Sequence, residues 1–134
     1  MSTNQDQTSK GAAFTIDREG GKAPGTVIFR LSGALTMRNM YASQTPASVR
    51  ELFDLDSMLP LGTLPTLNIF DLTHVPYMDS MGVGTIVSHY VRCKARGVRM
   101  IAAGASPRVM EVFRITKVDS VIPMTATVEE ADAG

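Results

Sequence analysis

The alternation of strand and helix signals over residues 66–113 constrains this chain more than any other feature of its sequence. Thr66–Leu72 and Val98–Ala103 are short, largely apolar segments, as is typical of buried strands. Between them, apolar residues recur at helical spacing until Gly97 ends the pattern. This apolar stripe consists of Val83, Ile86, Val87, Tyr90 and Val91. Because strands joined through a helix run parallel, this stretch predicts a parallel sheet with helices packed on it.

Further elements lie on both sides of this stretch. Phe14–Asp17 and Val27–Leu31 alternate or are β-branched, and the glycines and Pro24 between them predict two strands joined by a turn. Ser106–Pro107 predicts the cap and first residue of a helix that carries Val109, Met110, Val112 and Phe113.

The middle and the end of the chain give weaker signals. Thr45–Pro46 predicts a helix start, and Ser48 with Glu51 three residues later predicts an alternative start as a capping box. Two prolines and a glycine predict a loop over Leu59–Pro65. Val121–Met124 predicts a short edge strand, which is followed by an acidic helix or tail.

The resulting order is β β α β α β α β with a possible C-terminal helix. It predicts an α/β fold in which helices pack on a mixed four- to five-stranded sheet. Residues 1–11 are polar and predict a flexible tail, while residues 12–134 predict a single domain. A domain of this length can bury a stable core without disulfides or metals.

Composition excludes several classes of function. Lys+Arg and Asp+Glu both number 13, so the chain offers no net field to nucleic acid or anionic lipid. No apolar run approaches the ~20 residues that span a bilayer, and the N-terminus lacks the apolar region of a secretory signal. A lone cysteine, Cys93, favours a reducing compartment. We therefore expect a soluble cytoplasmic protein without membrane insertion or nucleic-acid binding.

The stretch Val75–Gly84, VPYMDSMGVG, is the candidate site because an acid, a hydroxyl and two glycines gather where a strand gives way to a helix. A serine nucleophile would need the pattern G-x-S-x-G, but Met78 stands at the first glycine position before Ser80. His74 ends the strand, and His89 lies ~13 Å down the helix. A catalytic triad is disfavoured because nucleophile and base must share a hydrogen bond.

Two other ligand-binding patterns are incomplete. Gly82–Val87 imitates a dinucleotide fingerprint but has Val87 where the third glycine or alanine belongs, and small residues that let the helix start close to the sheet explain the glycines. His89 and Cys93 stand four residues apart and could bind a metal, but no third ligand is evident and a half-exposed helix side explains the pair. The sequence predicts no metal, no cofactor and no enzymatic activity.

Ser80 could cap the helix through its hydroxyl, with Asp79 beside it at the positive end of the helix dipole. That interpretation does not explain why Met78 and Met81 flank the serine. Adaptable apolar side chains around a small polar target are typical of a docking surface. The residues alone leave both interpretations open.

The two strongest motifs in the chain resemble one family. Residues 66–87, TLNIFDLTHVPYMDSMGVGTIV, resemble the STAS domain of bacterial anti-sigma factor antagonists, in which a D-S-x-G-x-G motif opens a helix after a strand that ends in an acid. Residues 101–113, IAAGASPRVMEVF, are similar to the family's fourth strand and its S-P-capped helix. The order of elements agrees, so the resemblance runs from about Ala13 to the C-terminus and implies the STAS fold.

The resemblance implies a non-enzymatic binding module that phosphorylation switches. In the family, the serine after the aspartate, here Ser80, is phosphorylated by an anti-sigma factor that is also a serine kinase, and a PP2C-type phosphatase restores it. The unphosphorylated form binds the anti-sigma factor and frees the sigma factor. The alternative is a STAS scaffold or accessory subunit of a transporter or stress-sensing complex, and a homodimer is a possible assembly. The motif and the resemblance together indicate these partner-binding residues: Thr36, Met78, Asp79, Ser80, Met81, Gly82 and Gly84.

Three departures from the family pattern bear on the choice of partner. The family's G-E-L-D turn reads Gly33-Ala34-Leu35-Thr36 here and lacks both acids. The segment from this turn to Asp79 is several residues longer than usual, and Met81 replaces a small hydroxyl residue. Because the turn adjoins the phosphorylation site in the family, we expect these changes to affect docking.

Overall fold

The computed structural model of the protein describes residues 13–42, 51–55, 59 and 63–133. The tail predicted over 1–11, the helix starts predicted at Thr45–Pro46 and Ser48, and part of the loop predicted over 59–65 lie outside these residues. Glu51 and Leu52 are helical, which agrees with a helix in this part of the chain.

A five-stranded mixed sheet forms the centre of the fold, with its strands in sequence order. The first two strands pair antiparallel, and the remaining neighbours pair parallel. The strands are β1 (Thr15–Gly20), β2 (Thr26–Ser32), β3 (Leu67–His74), β4 (Arg99–Ala103) and β5 (Met124–Thr125). The predicted α/β architecture is confirmed, because helical segments join the parallel strands.

Helices connect the parallel strands and close the chain. They are α1 (Met37–Met40), α2 (Ser80–Ala95), α3 (Pro107–Ile115) and α4 (Val128–Ala133). The sequence predicts α2 and α3, and α4 is the helical one of its two C-terminal alternatives, a helix or a tail. The short helix α1 has no separate signal in the sequence. Within the described ranges, no helix has the length and apolar character needed to cross a membrane.

β5 is shorter than the sequence predicts and begins later. The edge strand predicted over Val121–Met124 is replaced at its start by the turn that follows a 3-10 helix at Val118–Ser120. The Pro123 carbonyl accepts a hydrogen bond from Ala102 N–H at 3.0 Å, but the proline nitrogen has no hydrogen to donate. The proline therefore limits how far the pairing with β4 can extend.

The core lies on both faces of the sheet. On one face Phe29, Phe53 and Phe70 pack with ring centroids 5.4 to 6.2 Å apart, and α2 and α3 add Ile86 and Phe113 to the same cluster. Full burial of each such side chain contributes roughly 1.5–3 kcal/mol. On the other face, α4 covers the sheet through a cluster of Ile28, Leu67, Ile69, Ile101, Ala103, Val128 and Ala131. This two-sided packing fixes the sheet whose carboxyl edge carries the candidate site.

His89 and Cys93 lie on the buried face of α2, so the expectation of a half-exposed helix side is wrong. The three phenylalanine rings surround His89. Asn68 Nδ2 donates to the Val27 carbonyl, so the Asn68 atom that faces the imidazole is the oxygen Oδ1. Nε2 of His89 therefore donates to Oδ1, at 2.7 Å. Burial, with a contribution from Arg92, lowers the pKa of His89 to about 3, and burial raises the pKa of the Cys93 thiol to about 11. Across the described ranges, no three His, Cys, Asp or Glu side chains gather as a metal site.

Candidate functional site

The segment that precedes α2 is bonded to the turn that follows β2, so two loops meet at the carboxyl edge of the parallel strands. Leu35 N–H donates to the Tyr77 carbonyl at 3.0 Å, and Asp79 N–H donates to the Leu35 carbonyl at 3.3 Å. Leu35 also forms an isolated β-bridge with Met78 and is fully buried. The Gly33–Thr36 turn therefore adjoins the motif serine, as the resemblance implied.

Asp79 caps α2, which decides against the interpretation in which the Ser80 hydroxyl is the cap. Asp79 Oδ1 accepts from Gly82 N–H at 2.9 Å, and Asp79 Oδ2 accepts from Met37 N–H at 3.1 Å. Asp79 has an extended backbone, and its N–H is bonded to the Leu35 carbonyl. The helix therefore begins at the next residue, Ser80. One carboxylate thus satisfies first-turn amides of both α2 and α1 and places negative charge at the positive end of the α2 dipole.

Ser80 is the first residue of α2 and is exposed. Its hydroxyl has no hydrogen-bond partner among the described residues, because Asp79 already occupies the first-turn amide that a capping serine would bond. An exposed hydroxyl without a structural task is accessible to a modifying enzyme.

Thr36 caps α1 and so has a structural task of its own. Its Oγ1 accepts from Asn39 N–H at 3.1 Å, and Asn39 Nδ2 donates to the Ala34 carbonyl at 2.9 Å. These bonds fix the start of α1 beside Asp79 without either of the acids of the family turn. Partner binding by Thr36 stays a prediction.

The two methionines that flank Ser80 differ in exposure. Met78 is only 5% exposed and belongs to the core, so the expectation that it presents a docking surface is wrong. Its bridge to Leu35 turns the side chain inward, whereas Met81 is 38% exposed. Sequence reasoning missed Met37, which is 49% exposed, and Tyr77, which is 38% exposed. We call Met37, Tyr77 and Met81 the apolar patch.

An arginine from the neighbouring helix α3 lies beside this patch. The guanidinium carbon of Arg108 is 4.7 Å from the ring centre of Tyr77, in the range of a cation–π contact. Aromatic residues, Met and Arg are enriched in protein–protein interfaces, so the composition of this surface suits docking of a protein. The apolar character of Tyr77, inside the motif stretch, was the signal that could have identified it from sequence.

The two motif glycines have different structural roles. Gly82 is buried, and a Cβ at this position would overlap the carbonyl oxygen of Leu35. A Cβ at Gly84 would meet open space. The expectation that small residues allow a close approach therefore holds for Gly82, although the neighbour is the turn after β2, and it does not hold for Gly84. Partner binding by either glycine stays a prediction.

An ion pair with one buried partner supports the same edge of the sheet. Asp71 of β3, whose side chain is 2% exposed, pairs with Arg30, which also bonds Glu19 at 2.9 Å. Thr73 donates to Asp71 Oδ1 through both its N–H and its hydroxyl. The hydrogen bond between the Glu19 and Arg30 side chains lowers the pKa of Glu19 and raises that of Arg30. These bonds occupy the Asp71 carboxylate, so its role is structural.

Comparison with known proteins gives one family. The STAS domain family model matches residues 21–131. An anti-sigma-B factor antagonist of Listeria monocytogenes is 36% identical over 52 residues, which make up 39% of this chain and 46% of that protein. The chain therefore spans less than half the length of this relative.

Solved structures with a similar fold include two bacterial proteins. A proposed anti-sigma factor antagonist from Thermotoga maritima has a TM-score of 0.67 at 19% identity, over 87% of this chain and 90% of that one. A sulfate transporter family protein from Wolinella succinogenes has a TM-score of 0.66 at 18% identity, over 98% of this chain and 93% of that one. At these identities the likeness concerns the fold.

Proposed function

The chain belongs to the STAS domain family, and on that premise we propose that it is an anti-sigma factor antagonist switched by phosphorylation of Ser80. The unphosphorylated protein binds an anti-sigma factor that is also a serine kinase, and this binding frees the sigma factor. A PP2C-type phosphatase restores the unphosphorylated form. The protein itself is a non-enzymatic binding module that acts in the cytoplasm.

The observation that carries this proposal is the free, exposed hydroxyl of Ser80. A kinase can approach it without breaking a hydrogen bond, because Asp79 performs the capping. The neighbouring groups do not suit a serine nucleophile, since His89 is buried in the core and bonded to Asn68. The serine is therefore better suited to receive a phosphate than to attack a substrate.

Electrostatics gives the switch its direction. A phosphate adds about −1.5 to −2 charge and three acceptor oxygens at Ser80. The adjacent Asp79 carboxylate is already negative and already bonds the amides of Gly82 and Met37, so those donors are not free to compensate the new charge. Burial of this charge against an apolar partner surface is costly, and phosphorylation therefore releases the partner.

The apolar patch gives the anti-sigma factor a surface to contact. Met37 and Met81 lie in the first turns of α1 and α2, which Asp79 joins, and Tyr77 lies in the loop that Leu35 holds. Side chains of methionine adapt to a partner, and burial of exposed apolar area drives association. A partner that covers this patch would also cover Ser80.

The test is to incubate the purified protein with ATP and its cognate anti-sigma kinase, and to locate phosphate by mass spectrometry. We expect phosphate on Ser80 in the wild type and in Ser88→Ala, an exposed serine further along α2, but none in Ser80→Ala. Calorimetry should show that Ser80→Ala keeps its affinity for the anti-sigma factor and that Ser80→Asp loses ~tenfold or more. Phosphate on another residue, or equal affinities of the alanine and aspartate variants, would contradict the proposal.

A second candidate is a STAS accessory subunit of a transporter, which the likeness to the Wolinella structure over 98% of this chain supports at the level of fold. Such a subunit would stay bound to its partner whatever the charge at residue 80. Affinity purification of Ser80→Ala and Ser80→Asp proteins separates the candidates, since recovery of the same transporter with both variants favours this second role. Sedimentation of the purified protein tests whether it forms a homodimer.

A further inference from the structure

Methionine exposure is unevenly distributed over the described part of the chain. Met40, Met78 and Met100 are at most 5% exposed, and Met110 and Met124 are half-buried. The two most exposed methionines of the described ranges are Met37 at 49% and Met81 at 38%. Both belong to the apolar patch next to Ser80.

The geometry ties these two thioethers to the same group. Met37 is the first residue of α1 and donates its N–H to Asp79 Oδ2 at 3.1 Å. Met81 is the second residue of α2, the helix that Asp79 Oδ1 caps through Gly82 N–H. Met37 and Met81 thus lie at the two helix starts that one carboxylate joins, and Met81 directly follows the motif serine in sequence.

We infer that Met37 and Met81 are an oxidation site through which a hydroperoxide weakens docking of the anti-sigma factor. The inference rests on the proposed function, since it assigns a second regulation to the same surface. Both modifications would weaken partner binding, because phosphate adds charge and sulfoxide adds polarity where the partner needs apolar contact.

The chemistry requires only a peroxide and releases water. The thioether sulfur attacks the distal oxygen of hydrogen peroxide, an S–O bond forms, the O–O bond breaks, and the released hydroxide takes up the peroxide proton to give water. Sulfur is oxidised by two electrons and the peroxide is reduced by two. The product is a polar sulfoxide in place of a flexible apolar side chain, and methionine sulfoxide reductases reverse the change.

The first experiment maps oxidation in the free protein. The protein is treated with stepwise additions of hydrogen peroxide, quenched, digested and analysed by peptide mass spectrometry, with circular dichroism to verify the fold. We expect sulfoxide at Met37 and Met81 at least about tenfold faster than at the buried Met40, Met78 and Met100, because oxidation follows exposure. Equal rates at exposed and buried methionines would overturn the inference.

The second experiment measures binding of the cognate anti-sigma factor by calorimetry before and after this oxidation. We expect the wild type to lose affinity at least about fivefold and to recover it after treatment with sulfoxide reductases, since an unpaired polar group would enter an apolar contact. The matched control is the double variant Met37→Leu with Met81→Leu, which keeps apolar volume but cannot be oxidised there and should bind equally before and after peroxide. Met81→Gln, which carries a polar group without oxidant, should bind more weakly than Met81→Leu.

The outcomes separate this inference from the function on which it rests. If the unoxidised protein binds no anti-sigma factor, the antagonist function fails and oxidative control of it fails as well. If the unoxidised protein binds and fully oxidised wild type binds equally well, the oxidation inference alone is wrong. An equal loss of affinity in the double leucine variant would place the effect at other residues and would also overturn the inference.

Discussion

Helices α2 and α3 both start at the carboxyl edge of the parallel strands, and they use serine in opposite ways. At the start of α3, Ser106 is the cap: its Oγ accepts from Val109 N–H at 3.2 Å, and Pro107 follows as the first helical residue. At the start of α2, Asp79 is the cap and Ser80 is the first helical residue, with its hydroxyl free. The preceding residue thus decides whether a serine at a helix start holds the helix or remains available for modification.

The same two helices also differ in how their inner faces are held. α3 buries Val109 and Phe113 and is anchored by apolar packing. α2 buries His89, which bonds Asn68 of β3 through Nε2 while Nδ1 has no partner in the described structure. One helix therefore carries a titratable group in the core, and its anchoring should respond to pH.

The largest effect that this comparison predicts is at the start of α2. Gly82→Ala should reduce the free energy of unfolding by about 3 kcal/mol, because the new methyl group overlaps the Leu35 carbonyl oxygen and the backbone must move. Gly84→Ala is the matched control and should raise it by up to about 1 kcal/mol, since the helix gains propensity in open space. Urea denaturation of both variants measures the difference. Equal stabilities would mean that α2 does not start in close contact with the Leu35 turn.

A smaller effect should follow from the buried histidine. The pKa of His89 is about 3 in the folded protein and about 6.5 in an unfolded chain. The unfolded state therefore takes up a proton as pH falls below 6.5 while the folded state does not, so stability is lost between pH 6.5 and 3. Between pH 7 and pH 5 the loss from this group is about 2 kcal/mol.

Urea denaturation at both pH values checks this loss, with His89→Gln as the control. Glutamine keeps a donor for Asn68 but does not titrate, so its stability should change much less between pH 7 and pH 5. A pH dependence as steep as that of the wild type would assign the titration to another group.

The smallest predicted effect compares the two serines directly. Ser106→Ala should cost about 1 kcal/mol of stability, because Val109 N–H loses its acceptor. Ser80→Ala should change stability by less than about 0.5 kcal/mol, since the Ser80 hydroxyl is exposed and has no partner within the described ranges. A loss at Ser80 as large as that at Ser106 would show that both hydroxyls are structural and would remove the distinction between the two helix starts.

The comparison also explains why one helix start could be predicted from the sequence and the other could not. The signal for α3 is local, since Ser106 and Pro107 are adjacent and suit the cap and first helical position. At α2, aspartate and serine both suit the cap. The choice between them depends on the bond from Asp79 N–H to Leu35, which comes from a distant part of the sequence.

Side-chain burial follows the same distinction between local and distant information. The helical stripe predicts α2 and its length, but it treats Val91 as part of the inner face, and Val91 is 58% exposed. His89 and Cys93 are instead buried between α2 and the sheet. The phenylalanine rings and Asn68 surround the imidazole there. The sequence placed Met78 on the surface, whereas it is buried, because the motif does not show its bridge to Leu35.

The two hydrogen bonds of the Asp79 carboxylate have a consequence for the chain segment between Met37 and Asp79. Its Oδ2 bonds Met37 N–H across a separation of 42 residues in sequence, and the Leu35 bridge holds the same junction. Once the ends of a segment are fixed, doubling the segment's length adds only ~0.6 kcal/mol of closure entropy. A longer segment is therefore compatible with the same arrangement around Ser80. A peptide label inserted into it, away from the buried Phe53, should leave the apolar patch accessible for binding measurements.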